Sequence, residues 1–424
     1  MKRRQFIKAL GMGSVLGSAA IHASGANAAR PKVVVVGAGY GGATAARYLS
    51  LWSGGGIDVT LVEPNAAFIS CPLSNLVLGG SRGLEDLTVD YDRLGSRSGI
   101  AMVRELATGI DRDKRLLMLA NGKSLPYDRL VLSPGVDFQY DRFPGMRLPG
   151  ARQRVLHAWK AGEQTVVLRK QLEAMPDGGN FVMSIPQAPY RCPPGPYERA
   201  CQVAHYFKQS KPRSRVILLD GNEDVVSKGA LFKKVWAERY PGLVEYRPSF
   251  NTVDVDARTG TVVSELGDEI QGAVVNLIPP QQAGAIATGA GLANANRRWC
   301  EVDFLTFEST QASHIHVLGD AIQVAPLMPK SAHMANQHAK VCAAAMIELF
   351  AGRAPPSQPV LTNTCYSFVS EKDVIHVTSV HAYDAQRKTL LAVPGSGGVS
   401  EVPSELEGRY AMDWARNIWA DTLL

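Results

Sequence analysis

The 424-residue chain sets 45 Lys and Arg against 39 Asp and Glu, a formal charge of +6, with 46% hydrophobic residues. Lys2, Arg3, Arg4 and Lys8 fall in the first 28 residues with no acid among them, so the remainder of the chain carries four charges fewer, +2 instead of +6. That leaves no basic surplus for nucleic acid, and no later run approaches the length of a membrane span, so two or three globular domains are expected.

The chain opens on Arg3-Arg4-Gln5-Phe6-Ile7-Lys8, then a modestly apolar stretch broken by Gly and Ser, then Ala26-Asn27-Ala28. This reads as a signal peptide of the twin-arginine type, residues 1–28, cut after Ala28, and it places the mature chain in the periplasm. The stretch is short and glycine-rich for a bilayer, and a permanent N-terminal anchor is the alternative.

Next comes the most informative run. Lys32-Val33-Val34-Val35-Val36 is a continuous apolar strand that enters Gly37-x-Gly39-x-x-Gly42; a helical stretch from Ala43 to Leu49 follows, and Ile57 to Glu63 forms a second strand ending in an acid. Together these make an ADP-binding βαβ unit. Gly37 permits the tight turn, Gly39 lets the backbone approach a pyrophosphate at the helix N-terminus, Gly42 lets helix and strand pack, and Glu63 is placed to accept from a ribose. The alternative for a bare GxGxxG is an ordinary glycine-rich turn. Eight residues after Glu63, Cys71 stands alone in Phe68-Ile69-Ser70-Cys71-Pro72-Leu73-Ser74-Asn75, with Leu76 next.

Leu125 to Gly135 reads as a strand closing in a small-residue turn. The middle of the chain then offers a strand, Phe181 to Ile185, where a second nucleotide site would begin. It runs instead into Pro186-Gln187-Ala188-Pro189-Tyr190-Arg191-Cys192-Pro193-Pro194-Gly195-Pro196. Prolines remove the backbone donors that a phosphate cradle needs, so nicotinamide is not expected as the electron partner. In its place stands Cys192, with Glu198 six residues on, near a helix start. Glu198 is a candidate acid–base group, and a first-turn carboxylate complementing the helix dipole is the competing reading.

Among six cysteines (71, 192, 201, 300, 342 and 365) no pair is spaced CxxC or CxxCH, so the chain has no local c-haem attachment, dithiol or iron–sulfur cradle. Cys201, Cys300 and Cys342 read as buried packing residues. Further on, Ile315-His316-Val317-Leu318-Gly319-Asp320 is a strand ending in Gly-Asp, and Met328 to His333, including Lys330, precedes a helix.

With the N-terminal βαβ unit, this late Gly-Asp resembles the second FAD fingerprint of the glutathione-reductase-like flavoproteins. The resemblance implies that Gly319-Asp320 meets the ribityl chain, that Lys330 is a cofactor-binding residue, and that the helix after it points its N-terminus at the flavin. The combined pattern is similar to the flavoprotein subunit of flavocytochrome c sulfide dehydrogenase over essentially the whole chain. In that family a cysteine in the segment of Cys71 carries FAD by thioether, and cysteines at the places of Cys192 and Cys365 form a redox disulfide. A free thiol at Cys71 and a merely stabilising Cys192–Cys365 bridge are the alternatives.

The fold expected is α/β: two Rossmann-like, glutathione-reductase-like dinucleotide-binding-type domains plus a C-terminal α+β interface domain. Residues 29–145 and 273–352 would form a discontinuous FAD-binding domain, 146–272 a second nucleotide-type domain without an NAD(P) fingerprint, and 353–424 the C-terminal domain. In the last, Tyr410, Trp414 and Ile418 recur at helical spacing and are expected to pack on the core. The resemblance implies a periplasmic sulfide dehydrogenase with hydrosulfide as substrate and a dihaem c-type cytochrome subunit as acceptor, without stable membrane insertion. A sulfide:quinone oxidoreductase, or a non-catalytic flavoprotein partner of a sulfur-oxidation system, are the alternatives.

Overall fold

A computed structural model describes residues 29–424, and the expected signal peptide lies outside the described residues. Val33 to Val36 are all buried, as the middle strand of a parallel sheet requires, since both its faces are covered. That sheet runs Ile315–Val317, Arg129–Leu132, Lys32–Val36, Asp58–Val62, Ala101–Val103, every neighbour parallel. The helix Tyr40–Trp52 packs on it through Gly42, Ala43, Ala45 and Ala46. The approach is so close that a Cβ on Gly42 would lie 1.8 Å from the Gly37 carbonyl oxygen.

A second parallel sheet has the order Val244–Arg247, Arg215–Asp220, Asn180–Ile185, Val274–Leu277. Val274–Leu277 hydrogen-bonds to Asn180–Ile185, so the expected return to the first domain at residue 273 is too early: the chain goes back only after Leu277. The reason is the buried run Val274-Val275-Asn276-Leu277, which completes the edge of the second sheet. Two antiparallel meanders, Ala107–Asp111 to Ser124–Pro126 and Thr252–Asp256 to Glu269–Gln271, accompany the two parallel sheets.

The C-terminal part is an antiparallel sheet, Val360–Phe368, Val374–Asp384 and Thr389–Ala392, covered by the helix Glu405–Leu423. Ser404 caps that helix by accepting from the Glu407 N–H. Its buried face is Gly408, Ala411, Ala415, Ile418 and Thr422. Of the expected stripe, Ile418 belongs to it and the half-buried Trp414 packs against the core beside Tyr366 and His333, whereas Tyr410 is exposed. Small residues win because the helix lies so close that a Cβ on Gly408 would be 2.1 Å from the Lys372 carbonyl oxygen. The architecture is thus the expected α/β type with two parallel-sheet domains and an α+β third. No helix among the described residues is long and apolar enough to cross a membrane.

Candidate active site

One cavity of about 950 Å³ runs from the Gly37 turn to Cys365 and draws its walls from the strand ends of the first sheet, the loop and helix start after Asn180–Ile185, and the strand Val360–Phe368. At one end Gly37 takes a left-handed φ of +88°, which a side chain would strain. Gly39, immediately before the helix Tyr40–Trp52, lines the cavity with no atom within 4 Å of where a Cβ would stand. Glu63 reaches back under the turn: one carboxylate oxygen accepts from the Ala38 N–H at 2.8 Å, the other from the Asn65 N–H at 2.9 Å. The Asn65 Nδ2 also donates to that second oxygen at 2.6 Å, so it is the oxygen held by Ala38 that keeps a lone pair for a ribose hydroxyl.

Midway, Gly319 and Asp320 line the wall opposite. Asp320 Oδ1 is buried with no hydrogen-bond partner, and burial pushes its carboxyl up against the pull of Arg191 and Lys330. The Arg191 guanidinium, also in the wall, has an unpartnered buried Nη2. Ser331 caps the helix Ala332–Phe350 by accepting from the Met334 N–H at 3.0 Å, and Ser331, Ala332 and His333 present that helix's N-terminus to the cavity. An orphaned acceptor, an orphaned donor, a glycine turn and a helix N-terminus in one elongated cavity fit FAD: the turn and helix for its pyrophosphate, Glu63 for ribose, Asp320 for a ribityl hydroxyl. Lys330 departs from expectation. It is not in the wall; its Nζ donates to the Asp320 and Ile322 carbonyls at 2.8 and 2.6 Å and stands 3.6 Å from the Trp299 ring centre. A buried ammonium needs acceptors, and two carbonyls and an indole face supply them on the far side of the strand end.

At the other end the cavity holds Cys71, Cys192 and Cys365, each half-buried and each a free thiol. The expected Cys192–Cys365 bridge is therefore not formed in this structure, although both sulfurs enter one cavity. Cys71 lies between Ser70, whose Oγ is 2.7 Å from the Tyr40 hydroxyl, and the left-handed Leu73; the Ala161 N–H points at its Sγ from 3.5 Å. Cys192 also takes a left-handed φ, +58°, and is pinned by its N–H to the Lys330 carbonyl and its carbonyl to the Gly195 N–H. Burial raises the Cys192 thiol, the charges of Cys365 and Glu198 add to this, and Arg191 and Lys228 oppose it. Burial also raises Cys365, but Lys228 and a hydrogen bond from Asn363 work the other way.

Glu198, buried in the first turn of the helix Gly195–Ser210, accepts from the Phe368 N–H at 2.9 Å and the Asn75 Nδ2 at 3.0 Å. It ties three segments together while lining the cavity, and burial raises its carboxyl. Beside it the Arg199 guanidinium gives its protons to Asn75, Asn276 and the carbonyls of His157 and Ala158, over the Trp159 ring. Cys201, Cys300 and Cys342 are fully buried in core clusters. Lys228, Asn75, Arg199, Trp159 and Asn363 escaped the sequence reading. Asn363 could have been noticed two residues before Cys365, whereas Lys228 has no local signal, because only the third sheet brings it to the sulfur end.

Residues 165–279 match the family model for the central domain of the sulfide dehydrogenase [flavocytochrome c] flavoprotein chain, and 357–423 that for the flavin-binding domain of flavocytochrome c sulphide dehydrogenase. Residues 31–174 match pyridine nucleotide-disulphide oxidoreductase. The mitochondrial sulfide:quinone oxidoreductase of Dictyostelium discoideum is 23% identical over 301 residues, 68% of this chain and 65% of that protein. The chain thus spans about two thirds of that relative's length. The flavoprotein chain of sulfide dehydrogenase [flavocytochrome c] from Chlorobaculum thiosulfatiphilum is 56% identical over 46 residues, 11% of this chain and 94% of that sequence. In fold, the sulfide:quinone oxidoreductase of Aquifex aeolicus superposes with a TM-score of 0.75 at 18% identity, covering 92% of this chain and 91% of that one. Putidaredoxin reductase in its putidaredoxin complex gives 0.65 at 19% identity, covering 93% and 94%. With its central and flavin-binding segments matched in order behind a glycine-turn nucleotide domain, the chain belongs to the flavocytochrome c sulfide dehydrogenase flavoprotein family.

Proposed function

We propose that this protein is the flavoprotein of a periplasmic FAD-dependent sulfide dehydrogenase, in which hydrosulfide attacks a disulfide of Cys192 and Cys365 and electrons leave to a dihaem c-type cytochrome subunit. The observation that carries the reading is the entry of Cys71, Cys192 and Cys365 into the cavity that starts at Gly37 and Glu63. FAD, when bound there through Gly39, Glu63 and Asp320 and joined to Cys71, supplies a two-electron acceptor that can release electrons singly. The chain's own part is to hold the sulfur pair at the inner end, to keep bulk water from it with Trp159, Tyr366 and Trp414, and to surround it with Arg191, Lys228 and Glu198. Glu198 is the candidate acid–base group, in competition with its role as a tie between Asn75 and Phe368.

The loop after Asn180–Ile185 keeps Pro193, Pro194 and Pro196 where a nucleotide cradle would need N–H donors, so no dependence on NAD(P)H is expected. Cys192→Ser or Cys365→Ser should abolish flavin reduction by sulfide with FAD still bound, and the double variant should be no worse, because the pair acts as a unit. Normal sulfide turnover by either single variant would reduce the pair to a structural role. Quinone is the second reading for the acceptor, favoured by the long alignments with sulfide:quinone oxidoreductases. Sulfide-dependent reduction of quinone but not of cytochrome c would establish it. Fractionation of cells carrying the full-length chain tests the periplasmic location, and retention in the cytoplasm would refute it.

A further inference from the structure

The sulfur end of the cavity is electrically lopsided. Lys228 stands just before the helix Gly229–Arg239 in a left-handed conformation, φ +57°, that favours glycine, and it is buried. Its Nζ donates to the Ser367 Oγ at 2.7 Å and to the carbonyls of Cys365 and Ile375 at 3.1 and 3.3 Å. All three acceptors are neutral, and they use all three protons of the ammonium. The Phe232 ring, 5.7 Å away, covers it. A strained backbone and a buried cation whose bonds reach no anion are both costly, so the arrangement needs a compensating charge. The groups that could supply it are Cys365 on the strand Val360–Phe368, Glu198 on the helix Gly195–Ser210, Cys192 before that helix, and Glu407 on the C-terminal helix. Glu198 is already bonded to Phe368 and Asn75, and Glu407 lies 3.0 Å from His376.

We propose that Lys228 is a positioning cation that holds negative charge on Cys365, so that hydrosulfide is directed to attack Cys192. The inference rests on the disulfide reading of the proposed function. In the step, a lone pair of HS⁻ forms a new sulfur–sulfur bond to Cys192 as the Cys192–Cys365 bond breaks. Cys192 then bears the persulfide with its hydrogen, and the electron pair of the broken bond leaves as the Cys365 thiolate. Charge and atoms balance, and no other oxidant is consumed in this step. The sulfur whose thiolate is better stabilised is the better leaving group.

Three features separate the two sulfurs. Asn363 Nδ2 points at Cys365 Sγ from 3.4 Å, and its Oδ1 is fixed in turn by the Ser331 hydroxyl at 2.7 Å. Among the charges acting on Cys365, Lys228 comes first; among those acting on Cys192 it comes behind the repulsion of Glu198 and the pull of Arg191. The N-terminus of the helix Gly195–Ser210 would favour a thiolate on Cys192. That help is curtailed: the Gly195 N–H is taken by the Cys192 carbonyl, Pro196 has no N–H, and the Glu198 carboxylate sits in the same turn.

The test is alkylation of the reduced, FAD-loaded protein by iodoacetamide, followed residue by residue by peptide mass spectrometry from pH 5 to 10. In the wild type Cys365 should react about tenfold faster than Cys192 at pH 7, the difference that one pKa unit makes in thiolate fraction. In Lys228→Met the Cys365 rate should fall about tenfold at pH 7 and its pH profile should move to higher pH by the corresponding amount. Lys228→Arg should restore most of the wild-type profile, which a purely structural loss would not allow. Faster reaction at Cys192 in the wild type, or an unmoved Cys365 profile in Lys228→Met, overturns the proposal. If Lys228→Met does not fold, the order of the two rates in the wild type still decides. A non-reducing peptide map of the oxidised protein separates the two levels: absence of a Cys192–Cys365 bridge refutes the disulfide reading, whereas a bridge with the wrong alkylation order refutes only the role of Lys228.

Discussion

Glu198→Gln probes the two roles this residue combines. The wild-type carboxylate receives two N–H donors, Phe368 N and Asn75 Nδ2. A glutamine has one oxygen and one NH₂, so it can satisfy only one of them and must set its own donor against the other. Asn75 cannot rotate to relieve this, because its Oδ1 is held by Arg199 Nε at 3.0 Å and its Nδ2 also reaches the Gly195 carbonyl. One hydrogen bond is lost and buried donors are left unsatisfied, a cost of about 1–3 kcal/mol. Removal of the buried charge recovers desolvation, the largest influence on this carboxyl, and offsets part of that cost, while Arg199 and Lys228 lose the anion that partly compensates them. Thermal unfolding of the FAD-loaded variant, followed by circular dichroism, should show a lower midpoint than the wild type. The pH dependence has a definite direction. Burial raises the folded-state pKa of Glu198 above its unfolded value, so the native state binds the proton more tightly. Wild-type stability from this group is then present at low pH and declines as pH rises from about 4.5 through the folded pKa, while glutamine contributes no such slope. The gap between the two proteins should narrow over that window. An unchanged midpoint together with unchanged sulfide turnover would refute both roles; lost turnover at an unchanged midpoint would assign Glu198 to acid–base chemistry alone.

Cys71→Ser should release its FAD on acid precipitation, and release of all flavin from the wild type would refute the thioether. In that background, where affinity can be measured, Asp320→Ala should weaken FAD binding by about tenfold or more by fluorescence titration, because a charge-assisted hydrogen bond to a buried acceptor is lost; equal affinities would remove Asp320 from the site. Gly42→Ala should yield little soluble holoprotein, since its methyl group would stand 1.8 Å from the Gly37 oxygen, whereas Gly39→Ala should fold normally and lose flavin. Purified protein and its flavin-to-protein absorbance ratio distinguish the two, and equal outcomes would refute the division between packing and cofactor roles.

What the sequence made legible was local. The Gly37 turn, Glu63 and the Gly-Asp pair each sit in a run whose neighbours announce their structure: a strand before, a helix after, an acid at a strand end. The three cavity cysteines stand out by resemblance alone, since the lack of CxxC spacing holds for all six. Lys330 misled because position before a helix says where a backbone goes, not where a long side chain finds acceptors; the Trp299 face that takes it is 31 residues away in sequence. The boundary at 273 failed for a similar reason. Strand pairing with Asn180–Ile185 is a long-range choice, and a short apolar strand carries no mark of which sheet it will join. Tyr410 shares the helical spacing of Trp414 and Ile418 yet is exposed, because the glycine and alanines on the adjacent face make the closest approach.

The same long-range logic explains how a nucleotide-type domain can host sulfur chemistry. The strand Asn180–Ile185 and the helix Gly195–Ser210 keep the geometry of a dinucleotide unit, so the loop between them still lies at the carboxyl end of the sheet, where such folds place ligands. Prolines strip that loop of donors, and the left-handed Cys192 occupies the cavity from there. The third sheet then delivers Cys365 to the same cavity from a strand paired along its whole length, Cys365 opposite Val377, which fixes its place far better than a loop would. One sulfur is therefore carried on a strained loop and the other on a rigid strand flanked by Lys228 and Asn363. A pair built that way is suited, in the proposed step, to keeping its charge at the strand side, where Lys228 and Asn363 stand.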